Sequence, residues 1–317
     1  MINAEQHAAL ADYLADALRT QGPVEIRGEG RIAMGQSRAM YVLDLAYPGS
    51  SGPVERQVVV RVEQWGLLGT NSRDEVRIMQ ALHGADFPVA RILAYEPSCD
   101  VLDQPFFVME FVAGKSAFDP ETVDDYVLAL DRLHGLDTGD FDFLDQPQEK
   151  RDSALLQVER WYGLYRSCLV EEPSPFVEEA TQWLRNHAPV SQRVALVHGD
   201  PGPGNYMHAD GRISALVDWE FTHLGDPDED WAYLIAMRGA PYFSQAEWLT
   251  RIERLTGHEI TPERLRYWKG LNFLKGVAVD QTAHRIYVDR VVAAPNLLAI
   301  GTGVHLNALK RLCETVL

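Results

Sequence analysis

The chain has 317 residues, 46% of them hydrophobic and 24% charged, and a formal net charge of −17. That length buries a substantial core as one large domain or two lobes, and the acidic balance excludes a nucleic-acid binder, whose partner needs a basic surface. The sequence has no apolar run of about 18 residues to span a membrane. Its three cysteines, Cys99, Cys168 and Cys313, lack metal or disulfide spacing, so a reducing cytoplasm is the expected compartment.

The N-terminal stretch reads as an amphipathic helix rather than a secretory signal, with Leu10, Tyr13, Leu14, Ala17 and Leu18 on one face. Two β-rich stretches follow. Pro23 to Tyr47 has a Gly-containing bend near Met34 to Ala39, and Gln57 to Glu63 (QVVVRVE) has the valines of a buried strand. Between them GSSGP at 49–53 is turn chemistry. A helix is expected from about Ser72, and Pro105 to Val112 (PFFVMEFV) reads as another strand. Beyond Ala113 the periodicity becomes helical, over Thr122 to His134, Leu155 to Ser167, Pro175 to Asn186, Gln245 to Thr256 and Thr261 to Tyr287. The chain is therefore divided near residue 112, into a β-rich lobe over 1–111 and a helical lobe over 112–317, an α+β architecture.

The chemistry concentrates between Leu196 and Asp230, LVHGDPGPGNYMHADGRISALVDWEFTHLGDPDED. Asp200 stands five residues before Asn205, and Asp218 lies on a following strand. Asp210-Gly211 is a favoured two-residue hairpin turn. With those two at its centre, 209 faces 212, 207 faces 214, and Asn205 comes opposite Leu216, two residues short of Asp218. The ribbon thus gathers an amide oxygen and a carboxylate, hard ligands that suit Mg²⁺. Pro201 and Pro203 stiffen the loop, while Gly202 and Gly204 let it turn. One carboxylate to position a hydroxyl and two oxygen ligands for magnesium is what phosphoryl transfer asks for.

These residues resemble the aminoglycoside phosphotransferase and choline kinase-like superfamily of small-molecule kinases. His198-Gly199-Asp200 followed by Asn205 matches its H-G-D-x-x-x-x-N loop, and Asp218-Trp219-Glu220 its D-x-[DE] motif. Gly225-Asp226-Pro227 through Asp230-Trp231-Ala232 is similar to its G-D-P-x-x-D-L-A segment, with Trp231 where Leu is usual. Weaker likenesses are PFFVMEFVAG to the family hinge and Leu133-His134-Gly135-Leu136-Asp137 to its L-H-x-L-D helix end. The resemblance implies a two-lobed protein-kinase-like fold that moves the γ-phosphate of ATP, with GTP as the other nucleotide open to it, onto a small-molecule hydroxyl. It implies that Asp200 receives or orients the hydroxyl proton, that Asn205 and Asp218 hold Mg²⁺ with Glu220 assisting, and that the backbone around Glu110 to Val112 holds adenine.

The first lysine is Lys115, past the hinge, so the strand position that usually carries a phosphate-binding Lys holds Arg61. Its expected partner is Glu75. A capping box over Ser72 to Glu75 competes for that side chain, and the resemblance of Glu75-Val76-Arg77-Ile78-Met79 to the family helix favours the ion pair. The resemblance puts the phosphate loop at Met34 to Ala39, where Gly35 and Ser37 are the candidate contacts, without a G-x-G-x-x-G. His198 reads as a brace for the loop, with acid–base catalysis as its other role. Glu220 is open between ligand and structural carboxylate. Asp226 and Asp230 are expected to cap and anchor a helix.

The sequence has no D-F-G or A-P-E segment, so the acceptor is expected to be a small molecule rather than a protein. Trp161, Tyr162, Tyr165 and the stretch from Tyr267-Trp268 to Tyr287 either wall an acceptor pocket or form core, and Asp280, Gln281 and His284 share nearby turns of one helix. The competing function is a nucleotide-binding regulator of weak or no activity on the same fold, motivated by the missing Lys and the imperfect Gly loop. A metal-dependent hydrolase ranks last, because the paired-metal His/Asp clustering it needs is missing.

Overall fold

A computed structural model describes residues 2–32, 38–63, 71–150, 152–291 and 294–317. In chain order the elements are α1 (Ala4–Ala17), β1 (Glu25–Ile32), β2 (Arg38–Gly49), β3 (Gly52–Glu63), α2 (Ser72–Gly84), β4 (Ile92–Glu96), β5 (Phe106–Glu110), α3 (Val123–His134), α4 (Asp152–Ser167) and α5 (Pro175–Asn186). They continue as β6 (Ala195–Val197), β7 (Tyr206–Ala209), β8 (Arg212–Leu216), β9 (His223–Gly225), α6 (Asp228–Ala236), α7 (Gln245–Thr256), α8 (Pro262–Val288), α9 (Pro295–Ala299) and α10 (His305–Val316). The chain forms two compact units: Met1–Lys115 with Tyr206–Glu220, and Ser116–Asn205 with Phe221–Leu317. The β7–β8 hairpin belongs to the first unit, where a single cut near residue 112 would leave it in the second. Among the described residues no helix is long and apolar enough to cross a membrane.

The first unit is built on an antiparallel sheet in the order β1-β2-β3-β5-β4. Strand β3 explains its own valines. Its first half alternates or is exposed, and Val58 to Val62 are buried without alternation, the pattern of a strand covered on both faces. Helix α1 begins at a capping box between Asn3 and Gln6 and buries Leu10 and Leu14, as the amphipathic pattern requires. They join Leu43, Val58, Val60, Phe106 and Val108 in one core, where the Tyr13 ring meets Phe106 edge-on at 5.2 Å.

The hairpin turn is centred on Asp210 and Gly211, both at positive φ (50° and 74°), as a primed turn needs. Ala209 faces Arg212 as expected, but the register then slips. His208 pairs with Ile213, Met207 with Ala215 and Tyr206 with Leu216. Ser214 is the extra residue of a β-bulge, so Tyr206, not Asn205, stands opposite Leu216. Sequence arithmetic assumes an unbroken ladder and cannot see the bulge. His208 exchanges backbone hydrogen bonds with Lys115 on its other side, at 2.9 Å each way.

In the second unit the helices fall close to the bounds read from periodicity. Pro262 at the first turn of α8 and the Thr261 side chain, which accepts from the Arg264 N–H, start that helix. Most of the aromatic candidates are core, while Tyr162 and Tyr287 are half-buried. Trp161 and Trp268 are fully buried, and Tyr165 and Tyr267 are 2% exposed. Tyr162 faces Glu178, to which its hydroxyl donates at 2.7 Å, with the Arg185 guanidinium 4.9 Å above its ring.

Candidate active site

In the second unit β6 delivers the chain into the loop His198 to Asn205, and Asp230 at the start of α6 anchors its entry. The Asp230 carboxylate accepts the backbone N–H of His198 at 2.8 Å and of Gly199 at 2.9 Å, and lies 2.9 Å from the His134 ring Nε2. Burial works against a charge there, and hydrogen bonding from His134 together with His198 outweighs it, holding the carboxyl below its ordinary value. His198 is fully buried, and its Nδ1 accepts the Asp200 N–H at 3.3 Å. Beneath the loop the Lys275 ammonium donates to the Gly199 carbonyl at 2.6 Å and to Glu229 at 3.0 Å. Burial pushes the Glu229 carboxyl up, and His223 and Lys275 outweigh that, bringing it to about 2.

Asp200 is 6% exposed. The Asn205 amide nitrogen donates to its Oδ2 at 2.7 Å and to its carbonyl at 2.8 Å, leaving the Asn205 Oδ1 as the atom able to meet a cation. Arg238, just beyond α6, grips the same carboxylate with both limbs of its fork: Nε donates to Oδ1 at 2.7 Å and Nη2 to Oδ2 at 2.5 Å. Its Nη1 donates to the Pro203 carbonyl at 3.3 Å. The two loop glycines make room for it. A Cβ on Gly202 would stand 2.6 Å from the Arg238 Cβ, and one on Gly204 3.1 Å from its Nη1.

The first unit holds a different cluster. Arg61 on β3 is 5% exposed and pairs with Glu75 of α2 at 3.0 Å, with Asp218 at 2.9 Å and, more loosely, with Glu220 at 3.8 Å. Burial opposes the guanidinium charge, and Glu75, Asp218 and Glu220 outweigh it, raising Arg61 above its ordinary value. The capping competitor for Glu75 is removed because Asn71 caps α2 instead, its side chain accepting the Asp74 N–H at 2.8 Å. Asp218 lies at φ 72°, in the left-handed region where a carboxylate residue is tolerated better than most. Among the described residues no group of three His, Cys, Asp or Glu side chains forms a cage for a metal.

A family model described as the phosphotransferase enzyme family matches residues 31–268. The chain belongs to the phosphotransferase enzyme family. It is 32% identical over 245 residues, 71% of its own length, to mouse acyl-CoA dehydrogenase family member 10, of which that match covers 22%. It spans about a quarter or less of the length of the curated relatives it matches. A structure from Ralstonia eutropha JMP134 assigned to the aminoglycoside phosphotransferases superposes with a TM-score of 0.71 at 22% identity, covering 97% of both chains. A thermostable mutant of aminoglycoside phosphotransferase APH(4)-Ia, in a ternary complex with ADP and hygromycin B, gives 0.66 at 18% identity, covering 97% of this chain and 98% of that one. The fold is thus the two-lobed, kinase-like α+β fold of these phosphotransferases.

Within this family member the structure gathers Asp200, Asn205 and His198 in one unit, and Arg61, Glu75, Asp218 and Glu220 in the other. Glu110 ends β5, and Phe111 and Val112 leave the sheet after it. Gly35 and Ser37 lie outside the described residues. Asp226, one residue before the N-cap Pro227, accepts the Asp228 N–H at 3.0 Å and pairs with Arg264 at 2.5 Å. Asp230, in the first turn of α6, anchors the loop His198 to Asn205 through the His198 and Gly199 N–H groups. Gln281 ties α8 to the end of α4 through the Cys168 carbonyl at 3.3 Å. Two partners of the loop escaped sequence reasoning, Arg238 and Tyr233, because each reaches Asp200 from more than thirty residues away. The one local signal was the Gly202/Gly204 pair, whose missing side chains leave a slot for something long.

Proposed function

We propose that this phosphotransferase family member moves the γ-phosphate of ATP onto a hydroxyl of a small molecule, in a Mg²⁺-dependent reaction. The observation that carries the proposal is a buried, oriented carboxylate, Asp200, on a stiff loop in a chain of this family. In the reaction the acceptor oxygen forms a bond to the γ-phosphorus, the bond to ADP breaks, and the hydroxyl proton passes to Asp200 and on to solvent. Asp200 accepts and orients that hydroxyl. His198 and Asp230 hold the loop, and Lys275 holds it from beneath. Asn205 through Oδ1 and Asp218 through its carboxylate are the ligands assigned to Mg²⁺, with Glu220 in support. Their hard oxygens fit that ion, which takes its remaining ligands from water and phosphate. When bound, the ion neutralises charge developing on the phosphates. Arg61, held by Glu75, is the residue assigned to the phosphates, and the backbone at Glu110 to Val112 to the adenine. APH(4)-Ia, on the same fold, is known in complex with ADP, which supports the nucleotide assignment.

For the acceptor, the first class to test is hydroxy acids and their acyl-thioester forms. The motive is the 32% identity to part of a mouse protein named for acyl-CoA dehydrogenation, since activities joined in one chain commonly serve one pool of substrate. A panel of hydroxyacyl thioesters, hydroxy acids, choline, homoserine and aminoglycosides, incubated with Mg²⁺ and ATP, should give a mass gain of one phosphate on one class. If no member of the panel gains phosphate, and the wild type and Asp200→Asn consume ATP alike, the proposal fails. The regulator reading draws on one feature, the Arg61 fork turned onto Asp218. It predicts nucleotide binding with no turnover on any member of the panel.

A further inference from the structure

The Asp200 carboxylate is engaged before any acceptor arrives. Arg238 donates to it twice, Asn205 once, and the Tyr233 phenol hydrogen-bonds to it as well. Burial, with Asp200 adding to it, pushes the Tyr233 hydroxyl well above its ordinary value, so the phenol stays protonated and donates. A carboxylate offers about four lone-pair sites. An incoming hydroxyl must therefore displace one of these donors before Asp200 can take its proton.

The donors differ in their freedom to leave. Asn205 is 5% exposed and bonds twice within the loop. The Tyr233 ring lies under the Lys275 ammonium, 4.8 Å from its centroid. The Arg238 side chain is 32% exposed, at the end of a long flexible stem, in a slot opened by Gly202 and Gly204. We propose that Arg238 is a specificity-determining latch on Asp200, holding the carboxylate closed to water and yielding to an acceptor hydroxyl. Water has one small contact to offer in exchange for a charged fork. An acceptor brings binding energy from the rest of its body, which can be spent on releasing the latch. Arg238 thereby couples phosphate transfer to acceptor binding and suppresses idle ATP hydrolysis. This rests on the reading of Asp200 as the group that meets the hydroxyl.

The leak reaction makes the latch visible without knowing the acceptor. There a water oxygen forms the bond to the γ-phosphorus, the bond to ADP breaks, and Asp200 takes the water proton and returns it to solvent. Phosphate release from Mg²⁺-ATP with no acceptor is measured for the wild type, Arg238→Met, Arg238→Lys, Asp200→Asn and the double variant Arg238→Met with Asp200→Asn, with melting temperature and Mg²⁺-ADP affinity alongside. Arg238→Met should release phosphate about tenfold faster than wild type, the scale of one lost charge-assisted hydrogen bond. Arg238→Lys, whose ammonium bonds a single oxygen, should rise less, and the double variant should fall to the Asp200→Asn rate. A purely structural role lowers hydrolysis and never raises it. An Arg238→Met rate at or below wild type overturns the latch. Should that variant not fold, an Arg238→Lys rate at or below wild type does so. Asp200→Asn hydrolysing at the wild-type rate overturns the underlying reading of Asp200, a result distinct from a silent Asp200→Asn beside an unaccelerated Arg238→Met.

Discussion

Arg61 and Arg238 each grip an aspartate, in opposite proportions. Around Arg61 one positive charge meets three carboxylates, those of Glu75, Asp218 and Glu220. Around Asp200 one carboxylate meets a guanidinium, an amide and a phenol. The first cluster is the one proposed to meet a divalent cation with its phosphates. The second is electrically complete and suited to release a donor. The same residue type thus serves as a buried cornerstone in one unit and as a movable clasp in the other. Burial separates the two roles: the Arg61 side chain is 6% exposed and that of Arg238 32%.

The largest expected effect lies on the single carboxylate. Asp200→Asn should lower transfer by about a thousandfold, within the range for losing a positioned base, whereas Glu220→Gln, one of three around Arg61, should cost about tenfold or less. Equal losses would remove the distinction between the clusters. Next is stability. Arg61→Met leaves buried carboxylates without their cation and should cost about 3–5 kcal/mol in denaturant unfolding. Arg238→Met, at a partly exposed site, should cost less than about 2 kcal/mol. A reversed order would break the comparison.

Asp280 sharpens it as a buried carboxyl with no arginine against it among the described residues, pushed up to about 7 by burial. The folded chain therefore keeps a proton that the unfolded chain has released above its ordinary value of 3.8, so stability falls as pH rises from there to about 7 and is level beyond. Asp280→Asn should melt like the wild type at acid pH and be more stable at pH ~8, by up to about 4 kcal/mol. No gain there would mean that a cation reaches Asp280 after all. A last effect concerns Glu229, whose carboxyl is lowered from 4.5 to about 2. Its contribution is complete above 4.5 and is lost as pH falls toward 2, so Glu229→Gln should flatten the acid limb of a melting-against-pH curve.

What could be read from the chain follows from how local each signal is. The Asp200–Asn205 spacing, the Asp210-Gly211 turn and the helical periods all lie within a few residues, and the structure repeats them. The Arg61–Glu75 pair crosses from strand to helix and was legible only through the likeness of both segments to the family. The Ser214 bulge was not, since a ladder drawn from the turn has no way to count an inserted residue. Arg238 and the anchoring role of Asp230 were hidden for another reason. Each acts through one side-chain contact across more than thirty residues, and neither residue type is unusual where it stands. The aromatic residues of α4 and α8 had two readings at helical spacing, and only burial separates wall from core.

The left-handed backbone at Asp218 has a consequence for how this position can vary. A φ of 72° admits glycine freely and asparagine or aspartate at modest cost, and strains every β-branched or bulky residue. Main-chain geometry thus narrows the alphabet there to about three letters before any ligand is considered. Of those three, aspartate alone carries a charge, so a saturation library at 218 should sort twice, first for survivors by shape and then for turnover by electrostatics.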